Sequence, residues 1–115
     1  MSRLTTHILD TAHGQPAAGM LVELRRPPSD TILFAGRSNT DGHCSRALLQ
    51  GADFIDGEYE LVFHVAEYFR ARGVVLPDPP FLDRVVLRIG LSPSGPPYHV
   101  PLLVSPWSCS MYRGS

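Results

Sequence analysis

Five histidines are spread along the 115-residue chain: His7, His13, His43, His64 and His99. His7 and His99 each sit in the middle of an apolar run, LTTHILD and YHVPLLV. Imidazole alone among side chains has an unperturbed pKa near neutrality, so two imidazoles on one pocket suit proton transfer in a hydrolysis. A single mid-strand His is more often a satisfied structural residue. Two of them, with Tyr112 and Arg113 close behind His99 in sequence, favour a pocket. His13 falls in the turn signal His13-Gly14-Gln15-Pro16 and reads as solvated, while His64 closes an apolar run and reads as a local cap. His43 follows Asp41-Gly42, another turn signal, and by itself reads as an exposed loop residue.

Two other chemistries compete. His7, His43 and His99 together supply the three nitrogens that a catalytic zinc prefers. The chain has no short ligand spacing such as CxxC or HxxxH, so acid–base use is the stronger reading and no cofactor or metal is called for. Nucleophilic catalysis by Cys44 or Cys109 is weaker still. Cys109 alternates with Trp107 and Met111 on one strand face, which is how a packed apolar thiol reads.

The elements that carry these residues are short and β-rich. Strands are predicted at Leu4–Asp10, Met20–Arg25, Thr31–Arg37, Glu58–Val65, Leu82–Ile89, Tyr98–Val104 and Trp107–Arg113. Turn signals rich in Gly, Pro, Asn and Asp separate them, which argues an all-β sandwich of seven or eight strands. AEYFRAR, Ala66–Arg72, holds better helix formers and stops at Gly73, so one short helix is expected there. In the first strand Leu4, Thr6 and Ile8 share one face and Thr5, His7 and Leu9 the other. His99, Pro101 and Leu103 likewise oppose Tyr98, Val100, Leu102 and Val104. These strands have no plainly polar face, a pattern that packing against a second subunit would explain.

Composition bounds the function. Hydrophobic residues make up 43% and charged residues 18%, as in a globular chain, and the length suits one domain. Ten basic residues, all Arg and scattered, face eleven acidic ones, so no nucleic-acid or anionic-membrane footprint is expected. No stretch approaches the ~20 apolar residues of a membrane span. Two cysteines without a secretion signal are expected to be reduced, in a cytoplasmic protein.

Several stretches together resemble the 5-hydroxyisourate hydrolases, the transthyretin-related enzymes of urate degradation. LTTHILDTAHGQPAAGMLVELRR resembles that family's opening, GEYELVFHVAEYF and PFLDRVVLRI its central part, and YHVPLLVSPWS followed by YRGS its ending. YRGS separates the hydrolases from the hormone-carrying transthyretins of similar fold. The resemblance covers residues 1–115 and implies a transthyretin-like two-sheet β-sandwich of about eight strands with one short helix. It also implies a homotetramer and a small purine-derived substrate, 5-hydroxyisourate, opened to 2-oxo-4-hydroxy-4-carboxy-5-ureidoimidazoline. His7 and His99 match the family's active-site histidines, and Tyr112, Arg113, Gly114 and Ser115 match its pocket-lining tetrapeptide. The Ser115 carboxylate is expected to position a His or the attacking water. One departure stands out. The family's Asp-Gly-Arg is Asp41-Gly42-His43 here, so His43, or Arg46 three residues on, takes the place of a fixed guanidinium. In an extended segment Arg46 would point away from His43. The rival reading is a non-catalytic binding protein for a flat aromatic ligand on the same scaffold.

Overall fold

A computed structural model describes residues 2–114; the expectation for Ser115 lies outside the described residues. Among the described residues nine strands form two sheets. The first runs β2-β1-β8-β9, built from β1 (Arg3–Asp10), β2 (Gln15–Pro16), β8 (Tyr98–Val104) and β9 (Cys109–Met111), with β5 (Leu49–Gln50) also paired to β1. The second runs β4-β3-β6-β7, from β3 (Leu21–Arg25), β4 (Ile32–Arg37), β6 (Gly57–His64) and β7 (Arg84–Leu91). Among the described residues only β1 and β8 pair in parallel, and the other ladders are antiparallel.

Alternation decides which side chains meet between the sheets. Leu4 and Ile8 of β1 and Leu102 and Val104 of β8 are fully buried against Val22, Leu24, Leu61 and Phe63 of the facing sheet. Two polar residues share this buried face, and both have partners. Thr6 donates to the Val100 carbonyl at 2.6 Å. Asp10 accepts from the Tyr68 hydroxyl at 2.7 Å and from the backbone and ring of His13 at 2.9 and 2.6 Å. Burial alone would raise the Asp10 pKa, but these hydrogen bonds outweigh it and hold the carboxyl below its ordinary value.

The helix α1 spans Val65–Ala71, one residue earlier than predicted. The Asp83 carbonyl accepts from the Val65 and Ala66 amides at its start, so Asp83 caps the helix and β7 begins only at Arg84. Gly73, at φ +83°, ends it by returning its amide to Arg70. The last strand is shorter than the predicted Trp107–Arg113. Ser105 Oγ accepts from the amides of Trp107 and Ser108, and the Ser105 amide donates to the Ser108 carbonyl, which bends Pro106 and Trp107 into a turn.

Three side-chain expectations are corrected. Cys109 is exposed and Trp107 is 57% exposed, because no element of the described chain covers that face of β9. His13 is not simply solvated but pairs with buried Asp10. His64 stands at the N-cap position of α1, but its side chain makes no cap bond; its ring meets the Glu23 carboxylate at 2.8 Å, and this bond, with that from Arg25, holds the Glu23 pKa below its ordinary value against the effect of burial.

Candidate active site

Parallel pairing of β1 with β8 places Thr5 opposite His99 and His7 opposite Pro101. The period of two then sends Thr5, His7 and His99 to the same outer face of the first sheet, with the two histidines offset by two residues in register on adjacent strands. All three are half-buried.

His43 reaches them through the turn before it. Along one edge of β1, β5 pairs at Arg3–Leu4 and β2 at Leu9–Asp10, leaving the middle open. The Asn39–His43 turn fills that gap. Asn39 Oδ1 accepts from the amides of Asp41 and His43, and the Asn39 amide donates to the His43 carbonyl. The Gly42 carbonyl accepts from the Ile8 amide at 2.9 Å, and His7 and His43 form a backbone bridge. Gly42 sits at φ +82°, and a methyl there would lie 2.5 Å from the Ile8 carbonyl oxygen and 3.2 Å from His7 Cδ2. Only glycine allows this approach. Its result is a face-to-face stack of His7 and His43, with centroids 4.1 Å apart and planes 6° from parallel.

The protonation pattern follows from the partners. His7 Nε2 lies 2.9 Å from the Asp41 carbonyl, which can only accept, so Nε2 carries the hydrogen and Nδ1 is the bare nitrogen of the neutral ring. His99 lies 6.4 Å, ring to ring, from His43. Burial lowers the pKa of His99, and the positive charges that His43 and His7 can carry lower it further. At neutral pH His99 is therefore an uncharged imidazole able to take a proton.

A cavity of about 580 Å³ opens beside this cluster, lined by Arg3, Thr5, Thr6, His43 to Ala47, Pro97, Tyr98 and His99. Arg46 does belong to it. The segment after His43 is a bend rather than a strand, so the alternation of extended backbone does not apply to it. The Arg46 guanidinium lies over the Phe34 ring at 4.5 Å. Cys44 is on the same wall, its thiol pushed up in pKa by burial and partly offset by Arg46. His7 stands behind His43 rather than on the wall.

Tyr112, Arg113 and Gly114 line an adjoining cavity of about 490 Å³ with Pro96 and Pro97, so Pro97 is common to both. The Arg113 guanidinium stacks on Tyr98 at 4.3 Å. Gly114 returns to the histidines, its amide donating to the His99 carbonyl at 2.6 Å. Sequence reasoning missed Arg3 and Thr5. Thr5 was placed on the face of His7 by alternation, but only the β1–β8 register gives it His99 as a partner.

Such a site offers a neutral base, a histidine pair held rigid by stacking, and guanidinium groups for developing negative charge. Among the described residues no three His, Cys, Asp or Glu side chains are arranged to hold an ion. Two rings stacked face to face aim their nitrogens side by side rather than at one point.

The model of the HIUase/Transthyretin family matches residues 4–114. The chain is 52% identical to a 5-hydroxyisourate hydrolase of Pseudomonas aeruginosa over 117 residues, covering 100% of this chain and 93% of that one. Among solved structures it is similar to (S)-allantoin synthase, with TM-score 0.91 and 42% identity over 99% of this chain and 44% of that chain. The 5-hydroxyisourate hydrolase of Klebsiella pneumoniae superposes with TM-score 0.84 at 30% identity, covering 100% of both chains.

Proposed function

This chain belongs to the HIUase/Transthyretin family, and from that premise we propose that its histidine-lined cavity is where it hydrolyses 5-hydroxyisourate. The activity is that of its half-identical, full-length relatives. The observation that carries the site assignment is His99, a half-buried imidazole on the cavity wall whose pKa is lowered by burial and by two neighbouring histidines.

His99 removes a proton from water as its oxygen bonds to a carbonyl carbon of the six-membered ring. The carbon–nitrogen bond then breaks, the ring nitrogen takes a proton, and the ring opens to 2-oxo-4-hydroxy-4-carboxy-5-ureidoimidazoline. His7, anchored by the Asp41 carbonyl and stacked on His43, steadies the ring of His43. Arg46 and His43 donate to the oxyanion as it forms; loss of one such donor costs about 100- to 1000-fold in rate. Tyr112, Arg113 and Gly114, from the adjoining cavity, hold the flat ring.

The whole of 1–115 forms a single domain of this kind, working in the cytoplasm in urate degradation. Two free thiols, Cys44 and Cys109, accord with a reducing compartment. Homotetrameric assembly accounts for the uncovered Trp107, Phe81 and Tyr112 and for the exposed face of β9. No helix of the described residues is long and apolar enough to cross a membrane. A non-catalytic binding protein is the lesser reading, and the hydrolase relatives weigh against it.

The test uses freshly generated 5-hydroxyisourate, followed by the loss of its absorbance. Purified protein accelerates the decay, and His99→Ala lowers kcat by about 100-fold or more while the protein stays folded. Equal rates for wild type and His99→Ala would sink the assignment of the base.

A further inference from the structure

We propose that Thr5 is a positioning residue of the hydrolytic site: its hydroxyl holds Nδ1 of His99, so that Nε2 is the nitrogen presented to water. This rests on the reading of His99 as the base. Thr5 and His99 are register partners on neighbouring parallel strands, and Thr5 Oγ1 lies 2.9 Å from His99 Nδ1. The opposite edge of the ring is walled by backbone, since a methyl built on Gly114 would come within 3.3 Å of His99 Cδ2. Nδ1 and Cδ2 flank the same ring carbon, and Nε2 follows Cδ2. One nitrogen is therefore tied to Thr5, and the other stands at the tip of the ring.

Base chemistry then decides the direction of the hydrogen bond. A neutral imidazole that accepts a proton at Nε2 must carry its hydrogen on Nδ1, and the imidazolium it becomes still donates from Nδ1. A hydroxyl that accepts from Nδ1 serves both states without exchanging roles. Its own hydrogen has an acceptor in the Tyr98 carbonyl, 3.5 Å from Thr5 Oγ1. Thr5 is also uncharged. A carboxylate in its place would favour the imidazolium and spoil a base meant to be neutral at pH 7.

The next residue supplies the contrast. Thr6 is buried between the sheets, and its hydroxyl goes to the Val100 carbonyl, a purely structural bond. Thr5 is half-exposed on the cavity wall and spends its hydroxyl on an imidazole.

The experiment compares Thr5→Val, which keeps the shape and removes the hydroxyl, with Thr5→Ser, which keeps the hydroxyl. Thr5→Val lowers kcat by about tenfold or more with KM little changed, whereas Thr5→Ser stays within about threefold of wild type. In parallel, ¹⁵N NMR of the His99 ring in wild-type protein reports the hydrogen on Nδ1, and Thr5→Val shifts the ring to a mixture of tautomers. Wild-type kcat in a folded Thr5→Val protein, or an Nε2–H tautomer in the wild type, overturns the proposal. Should Thr5→Val not fold, the wild-type tautomer and the Thr5→Ser rate still decide. Absence of any hydrolysis by wild type would overturn the hydrolase reading instead, and the ring tautomer would remain measurable.

Discussion

Replacing Gly42 by Ala is the most informative single methyl that can be added to this molecule. The backbone there has φ +82°, where a non-glycine residue costs about 1–2 kcal/mol. The new methyl would lie 2.5 Å from the Ile8 carbonyl oxygen and 3.2 Å from both His7 Cδ2 and Pro16 Cβ, and none of these can yield freely. The turn must withdraw from β1, breaking the Ile8 amide bond to the Gly42 carbonyl, for about 1 kcal/mol more. A total of about 2–3 kcal/mol lowers Tm by about 10 °C in a chain of this size. The same withdrawal pulls His43 off His7, so kcat/KM falls by at least about tenfold at temperatures where the variant is fully folded. Gly14→Ala is the control: φ is +67°, yet the methyl meets nothing within 4 Å. It costs about 1 kcal/mol and leaves kcat/KM unchanged. Calorimetry and the absorbance decay read both effects. A Gly42→Ala protein with the Tm of Gly14→Ala and full activity would refute the close-approach argument.

Two further outcomes follow from the site. The acid limb of kcat/KM lies below pH 6.5, because burial, His43 and His7 lower the His99 pKa, so the base stays unprotonated until the pH falls through that lowered value. His43→Ala removes one of the repelling charges and moves this limb upward; a limb that stays put would show that His43 does not act on His99. His43→Arg places a permanent charge on the cavity wall and raises kcat/KM, while Arg46→Ala lowers it by about 100-fold if Arg46 already serves the oxyanion. No gain in the first and no loss in the second would remove both residues from the catalytic account.

Much of the scaffold was legible because alternation and turn chemistry are local. Tyr98–Val104 matches β8 at both ends, and the two faces of β1 came out as read, Leu4, Thr6 and Ile8 inward and His7 outward. The terminal strand was overextended because Ser105 redirects two backbone amides that apolar patterning does not see. β2 and β5, two residues each, are too short to carry a period. The site was legible in its members more than in its arrangement. Alternation tells which face a residue takes but not which strand lies beside it, so the Thr5–His99 bond and the His7–His43 stack had no signature in sequence. Arg46 is a site candidate in sequence, with the reservation that an extended segment would turn it away; the segment bends, and Arg46 lines the cavity. The apolar face of Trp107, Cys109 and Met111 reads as packed in sequence, yet all three are exposed, with Phe81 6.4 Å, ring to ring, from Trp107.

The single parallel ladder has a consequence for how the protein comes to life. Thr5 and His99, which it brings together, are 94 positions apart. Closing so long a loop is entropically expensive, and contacts of that separation slow the search for the native state. The hairpins of the other sheet join neighbours such as β3 and β4 and can nucleate without it. The pairing of Thr5 with His99 is therefore expected to form late in folding. A chain that has not yet zipped β1 to β8 can hold the His7–His43 stack but lacks the Thr5–His99 pair.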